Sequence, residues 1–146
     1  MINNFFFQII AAIITTFGFG IIFNIKNINL FYTSIGGGIS WFIFLLGKSF
    51  FLNDGLNYFF ATLTLAIYSE IIARKLKTPV TTILIAGLIP LAPGGDIYYT
   101  IYYFINRNYY IAVEKGISTF IIAGAMAIGV FSAANLTKIF KYLKNK

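Results

Sequence analysis

Long apolar stretches separated by short polar segments run through the whole chain. Five of them approach or exceed the roughly 20 residues that a helix needs to cross a membrane: residues 5–25, 30–52, 56–73, 80–105 and 116–140. The pattern predicts an all-α polytopic membrane protein of about five transmembrane helices. We expect residues 1–146 to form a single transmembrane domain.

The composition agrees with a lipid environment. Hydrophobic residues make up 59% of the chain and charged residues only 10%, whereas soluble domains carry about 25% charged residues. Too few polar side chains remain to coat a water-facing surface. The net charge of +7 does not indicate a nucleic-acid partner, because the basic residues lie at helix ends rather than on a soluble face.

The basic residues also predict the orientation of the five spans. One side of the membrane collects eight of them (Lys26, Arg74, Lys75, Lys77, Lys138, Lys141, Lys144 and Lys146), and the other side collects three (Lys48, Arg107 and Lys115). Loops rich in lysine and arginine stay on the cytoplasmic side. We therefore expect a protein of the cytoplasmic (inner) membrane with its N-terminus outside and its C-terminus in the cytoplasm.

Small residues recur at helical spacing in the second and fifth spans. Gly36 and Ser40 are four residues apart, and so are Ala125, Gly129 and Ala133. Such spacing lets helix backbones approach closely in lipid, where packing drives association. The main interpretation is packing within this subunit, and the alternative is packing against another subunit.

The fourth span is interrupted by the segment Pro90 to Asp96. Pro93 lacks an N–H group, and Gly94 and Gly95 follow it, so we predict a broken helix. Irregular backbone inside a membrane is tolerated where it is buried in protein or lines a wet cavity. A new half-helix also presents free N–H groups and a positive dipole end, which suits the carboxylate of an amino acid or organic acid.

Polar residues follow the predicted break. One interpretation makes Asp96 only an N-cap of the second half-helix, and another adds ion or proton coupling, because acids inside membranes are costly and functional. Its carboxylate also suits the ammonium group of a zwitterion. Tyr98 and Tyr102 share one helical face and Tyr99 and Tyr103 the next. These tyrosines form either an interfacial aromatic belt or part of a solute path.

The chemistry available for catalysis is limited. The chain has no histidine or cysteine, and its four carboxylates are Asp54, Glu70, Asp96 and Glu114. Glu70 is expected to form an ion pair with Arg74, four residues later, and only Asp96 lies in a plausible pocket. We therefore predict no enzyme, no catalytic residues, no metal site and no cofactor.

Several segments resemble the threonine/serine exporter family. They are Thr78-Pro79, the run from Gly87 to Gly95 with its Pro-x-x-Pro-Gly-Gly element, and Tyr98-Tyr99. The glycine-rich second span, with Gly37 four residues before Trp41, fits the same pattern. The chain looks like the short, membrane-only component of the split two-component systems of that family.

The resemblance implies export of threonine, serine or a related small metabolite such as a dicarboxylate, driven by the proton gradient. The implied site consists of Pro90, Pro93, Gly94 and Gly95, with Asp96 as an adjunct. The partner implied is a larger membrane subunit with a cytosolic domain, although a homo-oligomer is an alternative. Two five-span halves in series insert with opposite orientations and place a site at their interface. An assembly subunit without its own solute site is the competing interpretation.

The predicted topology can be tested with a cysteine placed after Lys146, because the chain contains no other cysteine. We expect this thiol to resist impermeant maleimide in intact cells and to react after permeabilisation, since the C-terminus is assigned to the cytoplasm. Labelling in intact cells would overturn the orientation.

Overall fold

The computed structural model describes residues 2–50 and 53–144, and these residues form helices joined by short turns. The helices are α1 (Ile2–Ile22), α2 (Asn27–Phe50), α3 (Asp54–Leu76), α4 (Val80–Leu88), α5 (Gly94–Ile105) and α6 (Tyr109–Lys144), with a 3-10 turn at Ile89–Leu91. The described ranges contain no β-strand. The predicted all-α class is therefore confirmed.

Four helices are long and apolar enough to cross a membrane by themselves: α1, α2, α3 and α6. The helical segments Val80–Leu91 and Gly94–Ile105 meet at an angle of 51° and together pass the same test of length and apolar composition, as a fifth candidate span with a bend. The predicted break in the fourth span is thus confirmed. The predicted end of the second span at residues 51 and 52 lies outside the described residues.

The last helix is longer than predicted. It begins at Tyr109 rather than at Gly116 and contains 36 residues, or about 54 Å at 1.5 Å per residue. Gly116 lies inside this helix and next to Thr100 of α5. The helix exceeds the hydrocarbon layer of about 30 Å, so part of it lies beyond the membrane core.

The central element of the fold is α2. It packs against α1, α3 and α4, whereas α6 packs against α3 and α5. The two halves of the broken span therefore have different neighbours, since α4 lies on α2 and α3 and α5 lies on α6. No described residue of α5 is buried.

Three consecutive glycines let α2 approach helices on two sides. A methyl group on Gly36 would lie 2.8 Å from the Tyr68 ring of α3, and one on Gly38 would lie 2.5 Å from Ile13 of α1. A methyl group on Gly37 would overlap Thr16 of α1. The close approach predicted for the second span therefore occurs within this chain.

The small residues of α6 likewise allow a close approach, in this case to α3. A methyl group on Gly129 would lie 2.9 Å from the carbonyl oxygen of Phe59 and 3.2 Å from the amide nitrogen of Leu63. Ala133 on the same face is fully buried. The predicted helix contact through Gly129 and Ala133 is also within the chain.

Helix ends follow the expected chemistry. The side chain of Asn53 accepts a hydrogen bond of 2.8 Å from the Gly55 amide and caps α3. Near the other end of α3, Arg74 and Glu70 form an ion pair of 3.0 Å, as predicted. Lys77 then ends the helix in the left-handed conformation, with φ of 54°.

The backbone contact at Gly129 can be tested with a matched pair of substitutions. Gly129→Ala forces a methyl group against backbone atoms that cannot rotate away, so we expect a loss of about 1–3 kcal/mol of stability. Gly124→Ala on the same helix meets no atom within 4 Å and should be neutral or stabilising. Thermal unfolding in detergent micelles measures both. Equal unfolding temperatures for the two variants would contradict the α3–α6 contact.

Candidate functional site

The site is built on the break between α4 and α5. Pro90 lies in the 3-10 turn and Pro93 directly precedes α5. Proline has no N–H group and cannot continue the hydrogen-bond ladder of a helix. The backbone turns instead through a bond of 3.1 Å from the Ala92 amide to the Ile89 carbonyl and one of 2.7 Å from the Gly94 amide to the Ala92 carbonyl.

The break leaves polar backbone groups free at the start of α5. The first bond into α5 runs from the Ile97 amide to the Pro93 carbonyl, at 3.1 Å. The amides of Gly95 and Asp96 have no acceptor in the part of the chain that the structure describes. Free amides at a helix start carry a partial positive charge and attract anions.

Gly94 and Gly95 form the first two positions of α5. Both adopt helical, negative φ values, so the break requires no positive φ at either glycine. Both are exposed, and a methyl group on either would meet no atom within 4 Å. Their small size leaves the first turn of α5 open to a ligand or to another chain.

Asp96 does not cap α5. Pro93 occupies the N-cap position without any side-chain bond, and Asp96 lies in the first helical turn. Its carboxylate accepts a hydrogen bond of 2.8 Å from the Ser118 hydroxyl and contacts the Lys115 ammonium group at 3.4 Å. The cap-only interpretation of Asp96 is therefore wrong, and the carboxylate joins α5 to α6.

Asp96, Lys115 and Ser118, here called the carboxylate cluster, form a partly buried group. The Asp96 side chain is 23% exposed and the Lys115 side chain 38%. Asp96 lies nine residues before the end of α5, about 14 Å along the helix, so the cluster is nearer to the bend than to the end of α5. A partly buried acid is stabilised by a counter-charge or polar partners, and α6 supplies both.

Lys115 and Ser118 are functional residues that the sequence patterns did not predict. Lys115 was assigned to the loop before the fifth span, because α6 was predicted to begin at Gly116. In the structure Lys115 and Ser118 lie three residues apart on one face of α6. The signal available in the sequence is the spacing of Lys115 and Ser118 on one helical face, but the sequence does not show that this face packs against α5.

The remaining predicted residues divide between two sides of the break. The 3-10 turn with Pro90 packs against α1 and α2, whereas Pro93, Gly94, Gly95 and Asp96 lie at the start of α5, which packs on α6. Leu91 between them is fully buried and joins a cluster of core side chains from α2 and α3. That buried residue fixes the position of the break.

The tyrosines stack as their spacing predicted. The Tyr98 and Tyr102 rings stack with centroids 6.1 Å apart, and so do those of Tyr99 and Tyr103. Tyr98, Tyr99 and Tyr102 are exposed and Tyr103 is half-buried. Both the belt and the solute-path interpretations fit rings that face outward from this chain.

Comparison with protein families identifies the chain. The model of the threonine/serine exporter family, ThrE, matches residues 8–135 of the 146-residue chain. The match covers most of the chain, so the protein belongs to this family, and the resemblance seen in the sequence is confirmed. No curated protein and no solved structure matches the chain.

Proposed function

We propose that this member of the threonine/serine exporter family is one subunit of a secondary transporter that exports threonine, serine or a related small metabolite. The observation that carries the proposal is the break at Pro93, which opens the first turn of α5 inside a membrane span. Free amides and the positive end of a helix favour a carboxylate, which every amino acid and organic acid carries. Pro90, Pro93, Gly94, Gly95 and Asp96 are the residues assigned to this site.

The open side of the break supports our proposal of a second component. Gly94 and Gly95 face away from the rest of this chain, and the free amides of Gly95 and Asp96 need partners in a membrane. A second half of opposite orientation, placed against this face, would enclose the site at the interface. We assign that place to a larger membrane subunit with a cytosolic domain, with a second copy of this chain as the alternative. Tyr98 and Tyr99 extend along the same helix and are assigned to the solute path.

Asp96 is proposed to carry the coupling proton. When ionised, its carboxylate holds α5 to α6 through Ser118 and Lys115. Protonation removes the charge that attracts Lys115 and weakens the contact between the two helices. Because α5 packs on α6 and has no buried residue, it can shift once this contact loosens. Proton entry and movement of the half-helix are thereby linked.

An efflux assay tests the exporter and the role of Asp96 together. Cells loaded with a threonine- or serine-containing dipeptide release the free amino acid, and we expect release only when this chain is expressed with its large subunit. Asp96→Asn should abolish acceleration of efflux by a pH gradient, because the amide cannot exchange a proton. Glu114→Gln, an exposed carboxylate on α6, is the matched control and should behave like the wild type.

Each part of this assay has an outcome that would contradict the proposal. Equal efflux from the Asp96→Asn and Glu114→Gln complexes would show that Asp96 does not couple transport to protons. Absence of amino-acid efflux from a complex whose formation has been verified would contradict threonine and serine as cargo. Dicarboxylate efflux from cells that contain the same complexes would then indicate a different cargo. Absence of that efflux would favour a subunit that serves only in assembly.

The open first turn of α5 yields a second test. A Cβ atom at Gly94 or Gly95 meets no atom of this chain within 4 Å. For the variant with leucine at both positions we expect normal insertion and complete loss of transport, since the side chains cover the free amides. Gly124→Leu, also at an exposed glycine with open space, is the control for bulk alone. Membrane fractionation measures insertion and efflux measures activity. Wild-type efflux from the double leucine variant would refute a site at the break.

A further inference from the structure

A polar cavity lies at the end of the helix bundle where α1 ends and where α2 and α4 begin. Its volume is about 520 Å³, and we call it the turn cavity. Most of its lining is polar and comes from the turn between α1 and α2 and from α4: Asn24, Lys26, Asn27, Asn29 and Thr82. No residue of α5 or α6 lines it, so it is separate from the site at the break.

The turn between α1 and α2 has a fixed shape. The amides of Phe23, Asn24 and Ile25 each donate a hydrogen bond of 2.9 Å to a carbonyl group of α1. Asn24 and Asn27 adopt left-handed conformations, with φ of 58° and 55°, which asparagine tolerates better than most residues. Ile25 between them is buried. The backbone therefore holds the polar side chains, including the exposed Lys26, at the cavity.

The surroundings of the turn cavity are electropositive. Lys26 forms no ion pair within the described residues, and none of the residues that line the cavity is acidic. Near the same end of the bundle, α3 ends with Arg74 and Lys75, followed by Lys77. The one acid in the last turns of α3, Glu70, already pairs with Arg74. An anion is therefore the complementary ligand.

An apolar groove continues from the turn cavity along α4. Its volume is about 350 Å³, and it shares Ile25 and Thr82 with the cavity. Its other lining residues are Phe23, Thr81 and Ile85. Ile85 lies five residues after the start of α4, or about 8 Å along the helix. Phe23 and Ile85 are 45% and 52% exposed, so the groove presents apolar surface next to a basic polar cavity.

We propose that the turn cavity and this groove together bind one anionic phospholipid, with its phosphate beside Lys26 and an acyl chain along Ile85. A free phosphate would fill only the polar part, and a neutral lipid would make no use of the unpaired lysine. An anionic lipid satisfies both parts. In the predicted orientation this end of the bundle is cytoplasmic, so the lipid belongs to the inner leaflet, whose anionic lipids attract basic residues. The inference goes beyond the exporter function and does not depend on the cargo.

The position of the lipid gives it a structural role. It contacts the turn between α1 and α2 and the first turns of α4 at the same time. The start of α4 has no side-chain cap, because Pro79 occupies that position. A ligand that binds only the folded chain stabilises it, so the lipid is expected to hold the start of α4 against the α1–α2 turn.

Binding can be measured with the purified full-length protein in detergent by native mass spectrometry. The probes are dioctanoyl phosphatidylglycerol, dioctanoyl phosphatidylcholine with the same chains, and glycerol phosphate, which carries the anion without chains. We expect saturable binding of phosphatidylglycerol, at least about fivefold tighter than that of phosphatidylcholine, the effect of one basic residue near an anionic headgroup. Glycerol phosphate at the same concentration should not displace the lipid.

Matched variants test the two parts of the site. Lys26→Gln should weaken phosphatidylglycerol binding by about fivefold, whereas Lys138→Gln, at an exposed lysine of α6 on the same predicted side of the membrane, should not. Ile85→Trp fills the groove and should weaken binding by about tenfold, the effect of one or two methylene groups withdrawn from apolar contact. Ile71→Trp, at an exposed isoleucine outside the groove, is its control. Circular dichroism verifies that every variant remains helical.

Each comparison has an outcome that would overturn the lipid site. Equal affinities for the two phospholipids, or equal binding by Lys26→Gln and Lys138→Gln, would exclude an anion at the turn cavity. Displacement by glycerol phosphate at equal concentration would indicate a free-phosphate site instead of a lipid site. Wild-type binding by Ile85→Trp would show that no acyl chain occupies the groove. None of these measurements involves transport, so they leave the exporter proposal to its own assay.

Discussion

The close contact of α2 with its neighbours is the constraint on which the rest of the structure depends. In lipid there is little hydrophobic drive between helices, so association relies on close packing of small residues. Gly36 lets α3 pack closely on one side of α2, and Gly37 and Gly38 let α1 pack closely on the other side. Leu65 of α3 is completely buried and lies against both Gly36 and Gly87, so the same contact also positions α4.

That arrangement explains why the fourth span breaks at a defined place. The first half is held by α2 and α3 through Leu91, which has no exposed surface. The second half follows α6 and is tied to it by the Asp96 carboxylate. Because α4 packs on α2 and α3 whereas α5 packs on α6, the backbone hydrogen bonds of the helix are interrupted between these two halves. Pro90 and Pro93 make the interruption less costly, because neither residue has an amide to satisfy.

Local patterns account for what could be predicted from the sequence. Hydropathy indicated the helices, Pro93 indicated the break, and four-residue spacing indicated both the Glu70–Arg74 pair and the stacked tyrosines. The contacts that were missed join distant segments. Asp96 meets Ser118 across 22 residues. The sequence gives the chemical type of a polar residue. The partner of that residue depends on which helices pack together, and the sequence does not show this.

The order of synthesis gives the attachment of α5 a further consequence. A ribosome produces α1 to α4 first, and these helices already contain the contacts made by the glycines of α2. The half-helix α5 then emerges without a packing surface, and its Asp96 has no counter-charge until Lys115 has been translated. The carboxylate cluster therefore forms only after α6 enters the bilayer. A chain that ends before Lys115 therefore leaves the Asp96 carboxylate without its counter-charge.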